Sequence, residues 1–322
     1  MAEPRRALIT GIDGQDGSYL AESLVADGYD VTGMVREARS RDAPGLAAVR
    51  SQLAFVTGDH LHPESLRRAV EHARPDELYH LAAPTFVPAS WEDPSETLSA
   101  IATATATLLA AAYAHSATVR VWVSTSSEVF GDAGESPQHE RSPMRPRTPY
   151  GVAKLAAHGL VGVMRERHGL FACSGITYNH ESPRRPAHFV SRKVTRAAAA
   201  IRLGLENELV LGDLSAVRDW SHADDVMRAA RLALAHDAPG DYVVASGMGR
   251  TVEELVDVAF GHVGLDPGAH VRVDSDLVRA PEATPPVGDP SRARAVLGWR
   301  PRWSFEALVG QMVDADLAAL RA

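Results

Sequence analysis

Ala7-Leu8-Ile9-Thr10-Gly11-Ile12-Asp13-Gly14-Gln15-Asp16-Gly17-Ser18 is the stretch on which the reading of the whole chain turns. Ala7 to Ile9 is a short apolar run of strand character. After Ser18, Leu20, Leu24 and Val25 give one apolar helical face that Gly28 is placed to end. Three evenly spaced glycines join strand to helix. That spacing permits a tight turn, lets backbone amides approach a pyrophosphate and seats the helix close to the sheet. The helix start would add unpaired N–H groups and a partial positive charge. The stretch therefore predicts a dinucleotide site contributed by Gly11, Ile12, Asp13, Gly14, Gln15 and Asp16.

Outward from this turn, the first half alternates strands and helices. Strands are predicted at Val31–Val35, Leu53–Val56, Leu78–Ala82, Val119–Val123 and Phe171–Thr177. Long helices are predicted from Ser95 to His115 and from Tyr150 to His168. Such alternation implies right-handed crossovers and a doubly wound parallel sheet covered on both faces, an α/β fold. After Tyr178 helices outnumber strands: 189–204, 222–235, 251–262, 290–297 and 304–320. Short strands at Leu209–Val210 and Tyr242–Ala245 are candidates to rejoin the sheet. The expected division is a dinucleotide-binding domain over 1–178 and a smaller mixed α/β lobe over 179–322, closing over a cleft.

The bulk numbers fit an ordinary enzyme. The chain has 322 residues, 45% hydrophobic and 23% charged, with a net charge of −8 that disfavours nucleic acid as a partner. No apolar run is expected to span a bilayer, and the first residues lead straight into a strand with no signal peptide. The single cysteine, Cys173, excludes an intramolecular disulfide, is read as a small buried apolar residue and fits a cytoplasmic setting. The fourteen histidines show no helical pair with metal-ligand spacing, so no metal is expected.

An NAD-binding chain would carry an acidic residue at the end of the second strand. Here that end reads Met34-Val35-Arg36-Glu37, with Arg39 and Arg41 close behind. The cations suit a 2′-phosphate and predict NADP; Glu37 counts against it and keeps NAD as the alternative. Asp59 and His60 after the third strand, and Leu81, Ala82 and Ala83 after the fourth, lie at the strand edge where open α/β sheets bind ligands.

Tyr150 and Lys154 are four residues apart and share one helix face. A free tyrosine, with a pKa near ~10, is a poor base at neutral pH. A lysine cation and a bound nicotinamide cation are expected to favour its phenolate, so that Tyr150 could take a sugar hydroxyl proton. The fifth strand ends in Ser124-Thr125-Ser126-Ser127-Glu128. Ser126 can bond a reacting oxygen there, and Glu128 can act on a second carbon. Taken singly, each of these features is also an ordinary turn or surface pair.

Together these residues resemble the extended short-chain dehydrogenase/reductases with a Rossmann-like sheet, and most closely the GDP-mannose 4,6-dehydratase family. The similarity is colinear over nearly the whole chain: residues 7–20, Thr148 to Lys154, Tyr178-Asn179-His180-Glu181-Ser182-Pro183-Arg184-Arg185-Pro186, Phe189 to Lys193, Arg218-Asp219-Trp220, Gly288 to Ser291 and Leu297-Gly298-Trp299. The resemblance implies a nucleotide-sugar substrate, GDP-linked, and a homodimer or homotetramer. It also implies a redox-neutral cycle in which C4 is oxidised with Tyr150 as base. Glu128 then removes the C5 proton, water leaves C6 with help from Ser126, and C6 is reduced. His180 and Arg185 match family positions that touch NADP. Asn179, Val190, Lys193, Arg218 and Glu282 match positions lining the sugar-nucleotide pocket. Arg218 and Arg279 are candidates for the substrate pyrophosphate, because guanidinium bonds phosphate in bidentate fashion.

Some positions depart from the family: Asp13 for threonine, Ser126 for threonine, Glu37 for arginine, His60 for leucine, Pro84-Thr85 for Gln-Ser, Glu96 for tyrosine, and Ile101 for an acid. Arg279-Ala280-Pro281-Glu282 permutes the usual order. Thr85 is kept as a substrate-contact candidate. The alternatives are a nucleotide-sugar epimerase or 4-keto reductase on the same scaffold, and a non-catalytic dinucleotide-binding regulator. Glu128 separates the first two from a dehydratase, and the presence of both Tyr150 and Lys154 argues against the third.

Overall fold

β1 (Arg6–Thr10) runs through the middle of a parallel sheet, where four of its five residues are buried. The computed structural model describes residues 3–277 and 284–321. After β1 come α1 (Gln15–Ala26), β2 (Asp30–Val35), β3 (Leu53–Thr57), α2 (Pro63–Ala73) and β4 (Glu77–His80). Then follow α3 (Pro94–Leu98), α4 (Ala104–His115), β5 (Arg120–Ser124), α5 (Pro149–His168), β6 (Phe171–Thr177) and β7 (Asn179–Glu181). The remainder comprises α6 (Val190–Arg202), β8 (Leu209–Leu211), β9 (Val217–His222), α7 (Ala223–Ala235), β10 (Asp241–Val244), β11 (Gly249–Thr251), α8 (Val252–His262), β12 (Val271–Val273), α9 (Ser291–Leu297) and α10 (Phe305–Arg321).

Seven strands form the main sheet in the order β3-β2-β1-β4-β5-β6-β10, every pair parallel. Ala7 lies opposite Val31 on one side and Glu77 on the other. The order reverses between β1 and β4, which opens a crevice at their carboxyl ends. One face is covered by α1, α7 and α9, with Leu20, Leu24, Val226, Met227 and Trp299 in the core. The other is covered by α2, α4 and α5, with Leu66, Val70, Leu108 and Val161. Both faces are therefore apolar, as a parallel sheet requires. Cys173 is wholly buried in β6.

The second lobe has its own core, in which α6, α8 and α10 pack around Trp220, Phe260 and Phe305. The two short strands expected to rejoin the sheet behave differently. β10 does rejoin it, beside β6. β8 pairs with β12 instead, and its Leu209 and Leu211 belong to the second core. The chain after residue 178 thus returns α7 and β10 to the first lobe.

The expectation that no segment could span a bilayer needs correction. Within the helical run Pro94–His115, an 18-residue stretch has a mean hydropathy of 1.4, long and apolar enough by length and composition. Its alanines and threonines hide this in a scan for uninterrupted apolar residues. Half of that stretch is buried inside the fold, against α2 and α5. A wide π turn at Ser99–Thr103 interrupts it and seats Ile101 against Tyr150.

Candidate active site

The glycine turn does what its spacing predicts. Gly11 takes φ +73°, and its carbonyl accepts the Gly14 amide at 3.1 Å. A Cβ on Gly17 would collide with that carbonyl, and one on Gly11 would press on Ala82 at 3.0 Å. The cradle is therefore open only because side chains are missing from it. Gly14 begins α1 without any side-chain cap, so the leading amides of the helix are left for a ligand. Gly11, Asp13, Gly14, Gln15, Asp16 and Gly17 line one cleft of ≈ 490 Å³. These features fit the pyrophosphate of a dinucleotide. Ile12 enters the core instead, fully buried against Gly33, and leaves only its backbone near the turn.

At the end of β2, Arg36, Glu37, Arg39 and Ser40 line the same cleft. Glu37 is ion-paired with Arg39 at 2.6 Å on the exposed rim of the cleft. Arg41 turns aside over the Phe55 ring. Past β3, Gly58 and His60 reach the cleft. Burial pushes the His60 imidazole below its ordinary pKa. Asp59 serves its own turn, accepting the Leu61 amide at 2.9 Å. Past β4, Leu81 and Ala82 donate their amides to Thr10 Oγ, at 3.2 and 3.3 Å, and line the cleft with Ala83 and Thr85.

The reactive group sits where β5 ends and α5 begins. Thr148 caps α5 by accepting the Gly151 amide at 2.9 Å. Tyr150 and Lys154 follow on the first turns, 7% and 5% exposed. The Lys154 ammonium lies 5.7 Å from the centre of the Tyr150 ring. Ser126 accepts the Glu128 amide at 3.3 Å, and Thr148 Oγ donates to Glu128 Oε2 at 3.4 Å. Ser124, Ser126, Glu128, Tyr150 and Lys154 all line the glycine-turn cleft.

Electrostatics qualify the expectation for the tyrosine. Burial drives the Tyr150 phenol well above its ordinary pKa, more than a hydrogen bond with Ser126 draws it down. Burial also lowers Lys154 to about 8, with Asp16 opposing. In the chain alone, then, burial outweighs the Ser126 hydrogen bond and the Arg185 charge, and disfavours the phenolate.

The second lobe closes the cleft with Asn179, His180, Arg185, Pro186 and Phe189. The Arg185 guanidinium lies 3.6 Å over the Phe189 ring, with Nε 3.1 Å from Glu181. Of the remaining residues expected at the site, Val190 and Lys193 lie on α6 and Arg218 on β9, beyond the residues lining this cleft. Lys193 Nζ donates to the Val210 carbonyl at 2.7 Å. Arg279 and Glu282 fall outside the described residues. The sequence reading missed Met34, Thr177, Tyr178 and Phe189. Thr177 and Tyr178 could have been found, since they sit at the carboxyl edge of β6. Phe189 opens the stretch to Lys193 that carries part of the family resemblance, which was its only signal.

The chain is similar to known proteins over nearly its whole length. The profile of the family described as GDP-mannose 4,6 dehydratase matches residues 8–312. GDP-mannose 4,6 dehydratase 2 of Arabidopsis thaliana is 43% identical over 330 residues, covering 98% of this chain and 88% of the relative. The Homo sapiens GDP-mannose 4,6 dehydratase is 38% identical, covering 100% of this chain and 94% of its own. Among solved structures, the Thermus thermophilus UDP-glucose 4-epimerase complex with NAD has a TM-score of 0.83 at 26% identity, covering 98% of this chain and 99% of that one. RMD from Pseudomonas aeruginosa complexed with NADPH has a TM-score of 0.81 at 25% identity, with the same coverage of 98% and 99%.

Proposed function

The chain belongs to the GDP-mannose 4,6-dehydratase family, and we propose that it converts GDP-mannose, or a close GDP-sugar, to the GDP-4-keto-6-deoxy sugar and water, using NADP. The observation that carries this reading is that Glu128 and Ser126 share one cleft with Tyr150 and Lys154. A simple C4 epimerase or 4-keto reductase has no need of a carboxylate aimed at C5 and C6.

A nicotinamide dinucleotide held by the glycine turn supplies a reversible two-electron acceptor, which makes the overall conversion redox-neutral. Tyr150 takes the proton of the sugar 4-hydroxyl. Its phenolate needs a cation beside it, and Lys154, held at the end of β5, is one source. With a ketone at C4, the C5–H is acidified, and the Glu128 carboxylate removes it. The C6 hydroxyl, hydrogen-bonded by Ser126, takes up that proton from Glu128 and leaves as water; the resulting C5–C6 double bond is then reduced, with hydride added at C6 and a proton at C5. Asn179 and Thr85, both at the cleft, are assigned to the sugar-nucleotide. Val190, Lys193, Arg218, Arg279 and Glu282 are assigned to its further end. A substrate carrying deuterium at C4 tests the cycle: the label is expected at C6 of the product, and its loss to solvent would contradict a redox-neutral path.

NADP is preferred to NAD because Arg36 and Arg39 line the cleft at the end of β2, while Glu37 is held by Arg39. The chain is further proposed to act as a homodimer or homotetramer. On α5, Val152, Ala156, Gly159 and Val163 are exposed along one uncharged stripe, and Leu98, Ala110 and Tyr113 are exposed on the adjoining helical run. Two such surfaces would bury each other. A cytoplasmic setting is supported by the lone, buried Cys173 thiol.

A further inference from the structure

Asp16 is a carboxylate at the one place in the cleft where a phosphate-binding helix end is best left positive. It is the second residue of α1 and lines the cleft beside Gly14 and Gln15. An uncancelled negative charge there would repel the very anion that the open amides attract.

His180, 164 residues away on β7, answers it. Nε2 of its ring lies 2.8 Å from Asp16 Oδ2, and Nδ1 lies 2.7 Å from the backbone carbonyl of Tyr178. A backbone carbonyl only accepts. The other Asp16 oxygen accepts from Gln15 Nε2 at 3.2 Å, and the carboxyl is held below the usual carboxylate range, so this side chain is an ionised acceptor. Both ring nitrogens must then donate, and an imidazole that donates twice is an imidazolium. Burial opposes the charged ring, but the Asp16 charge and hydrogen bond hold its pKa above that of an ordinary histidine. Burial pushes the Asp16 carboxyl up, and the His180 charge brings it below the usual carboxylate range.

The other charges facing the pair are Arg185, held by Glu181, and Lys154 on α5. Arg185 is paired with Glu181 and Lys154 bonds the Ser124 carbonyl, so among these cations the His180 ring is the one hydrogen-bonded to Asp16. With His180 neutral, Asp16 loses its hydrogen-bonded counter-charge beside the glycine turn.

We propose that His180 is a positioning residue which, as an imidazolium, cancels Asp16 and turns its carboxylate onto β7, leaving the open end of α1 to the dinucleotide pyrophosphate. The inference rests on the dinucleotide reading given above. It also explains why β7, which supplies Asn179 to the cleft, is fastened to α1: Gln15 Nε2 donates to the His180 carbonyl at 3.0 Å, and Ser182 Oγ donates to Gln15 Oε1 at 2.8 Å.

Calorimetric titration of the full chain with NADP and with NAD tests the pairing. His180→Gln is expected to weaken binding of either dinucleotide about tenfold, a loss of about 1.4 kcal/mol. Adding Asp16→Asn to that variant is expected to restore affinity to within about threefold, because the repulsion is then gone. Affinity of the unsubstituted chain should fall as pH rises and the ring loses its proton, and Asp16→Asn should flatten that fall. A doubly substituted chain no tighter than His180→Gln would overturn the proposal, as would a His180→Gln chain of full affinity. An unsubstituted chain that binds neither dinucleotide would overturn the cofactor reading, and the present inference with it. Nitrogen NMR of His180 in the unsubstituted chain gives a check independent of any variant's folding. Two protonated ring nitrogens are expected at neutral pH, and a neutral tautomer would contradict the proposal.

Discussion

Lys154 Nζ donates a 2.8 Å hydrogen bond to the backbone carbonyl of Ser124, tying the second turn of α5 to the last residue of β5. The ammonium is buried, and burial lowers its pKa to about 8. It is charged below that value and neutral above it. The account therefore predicts that kcat/KM falls as pH rises through about 8. Lys154→Met should lower kcat by about 10²–10⁴-fold and remove that alkaline decline. A pH–rate series on both proteins checks it, and an unchanged decline in the variant would assign it to another group.

Glu128 is placed to act after the sugar has been oxidised. Glu128→Gln should still oxidise C4 and then stall, so that reduced dinucleotide accumulates in a single turnover while product formation falls about 10²–10⁴-fold. Absorbance and product mass, followed together, separate the two steps. Full product formation in this variant would remove Glu128 from the elimination.

Arg36 separates NADP from NAD. Arg36→Ala should weaken NADP binding at least about tenfold and leave NAD binding within about threefold, because only NADP carries the extra phosphate. Equal loss for both dinucleotides would mean that Arg36 serves the shared part of the ligand.

The exposed stripe on α5 bears on assembly. Val152→Lys with Val163→Lys places two charges on the proposed contact face and should yield monomers in sedimentation velocity. An unchanged sedimentation coefficient, in a chain that remains assembled, would put the contact elsewhere.

Most of the site was legible because its parts are local in sequence. The glycines repeat at a spacing that only a strand–turn–helix explains, and Tyr150 and Lys154 are one helical turn apart. The features that escaped are those made by distant segments. The ion pair of Asp16 with His180 joins positions 164 residues apart, and no pattern in either stretch announces the other. β8 reads like a strand of the main sheet, but its partner β12 is fixed by the packing of the second lobe. α2 buries Leu66, Ala69, Val70 and Ala73 at helical spacing, a faint signal among its charged residues. The burial that raises the Tyr150 phenol is likewise tertiary, since Ile101, distant in sequence, shares its buried cluster.

The central claim is net dehydration of a nucleotide sugar with no net redox change. Purified chain incubated with GDP-mannose and a catalytic amount of NADP, without added reductant, should yield a product lighter by one water. A product of unchanged mass, or turnover only with stoichiometric NADPH, would contradict the account.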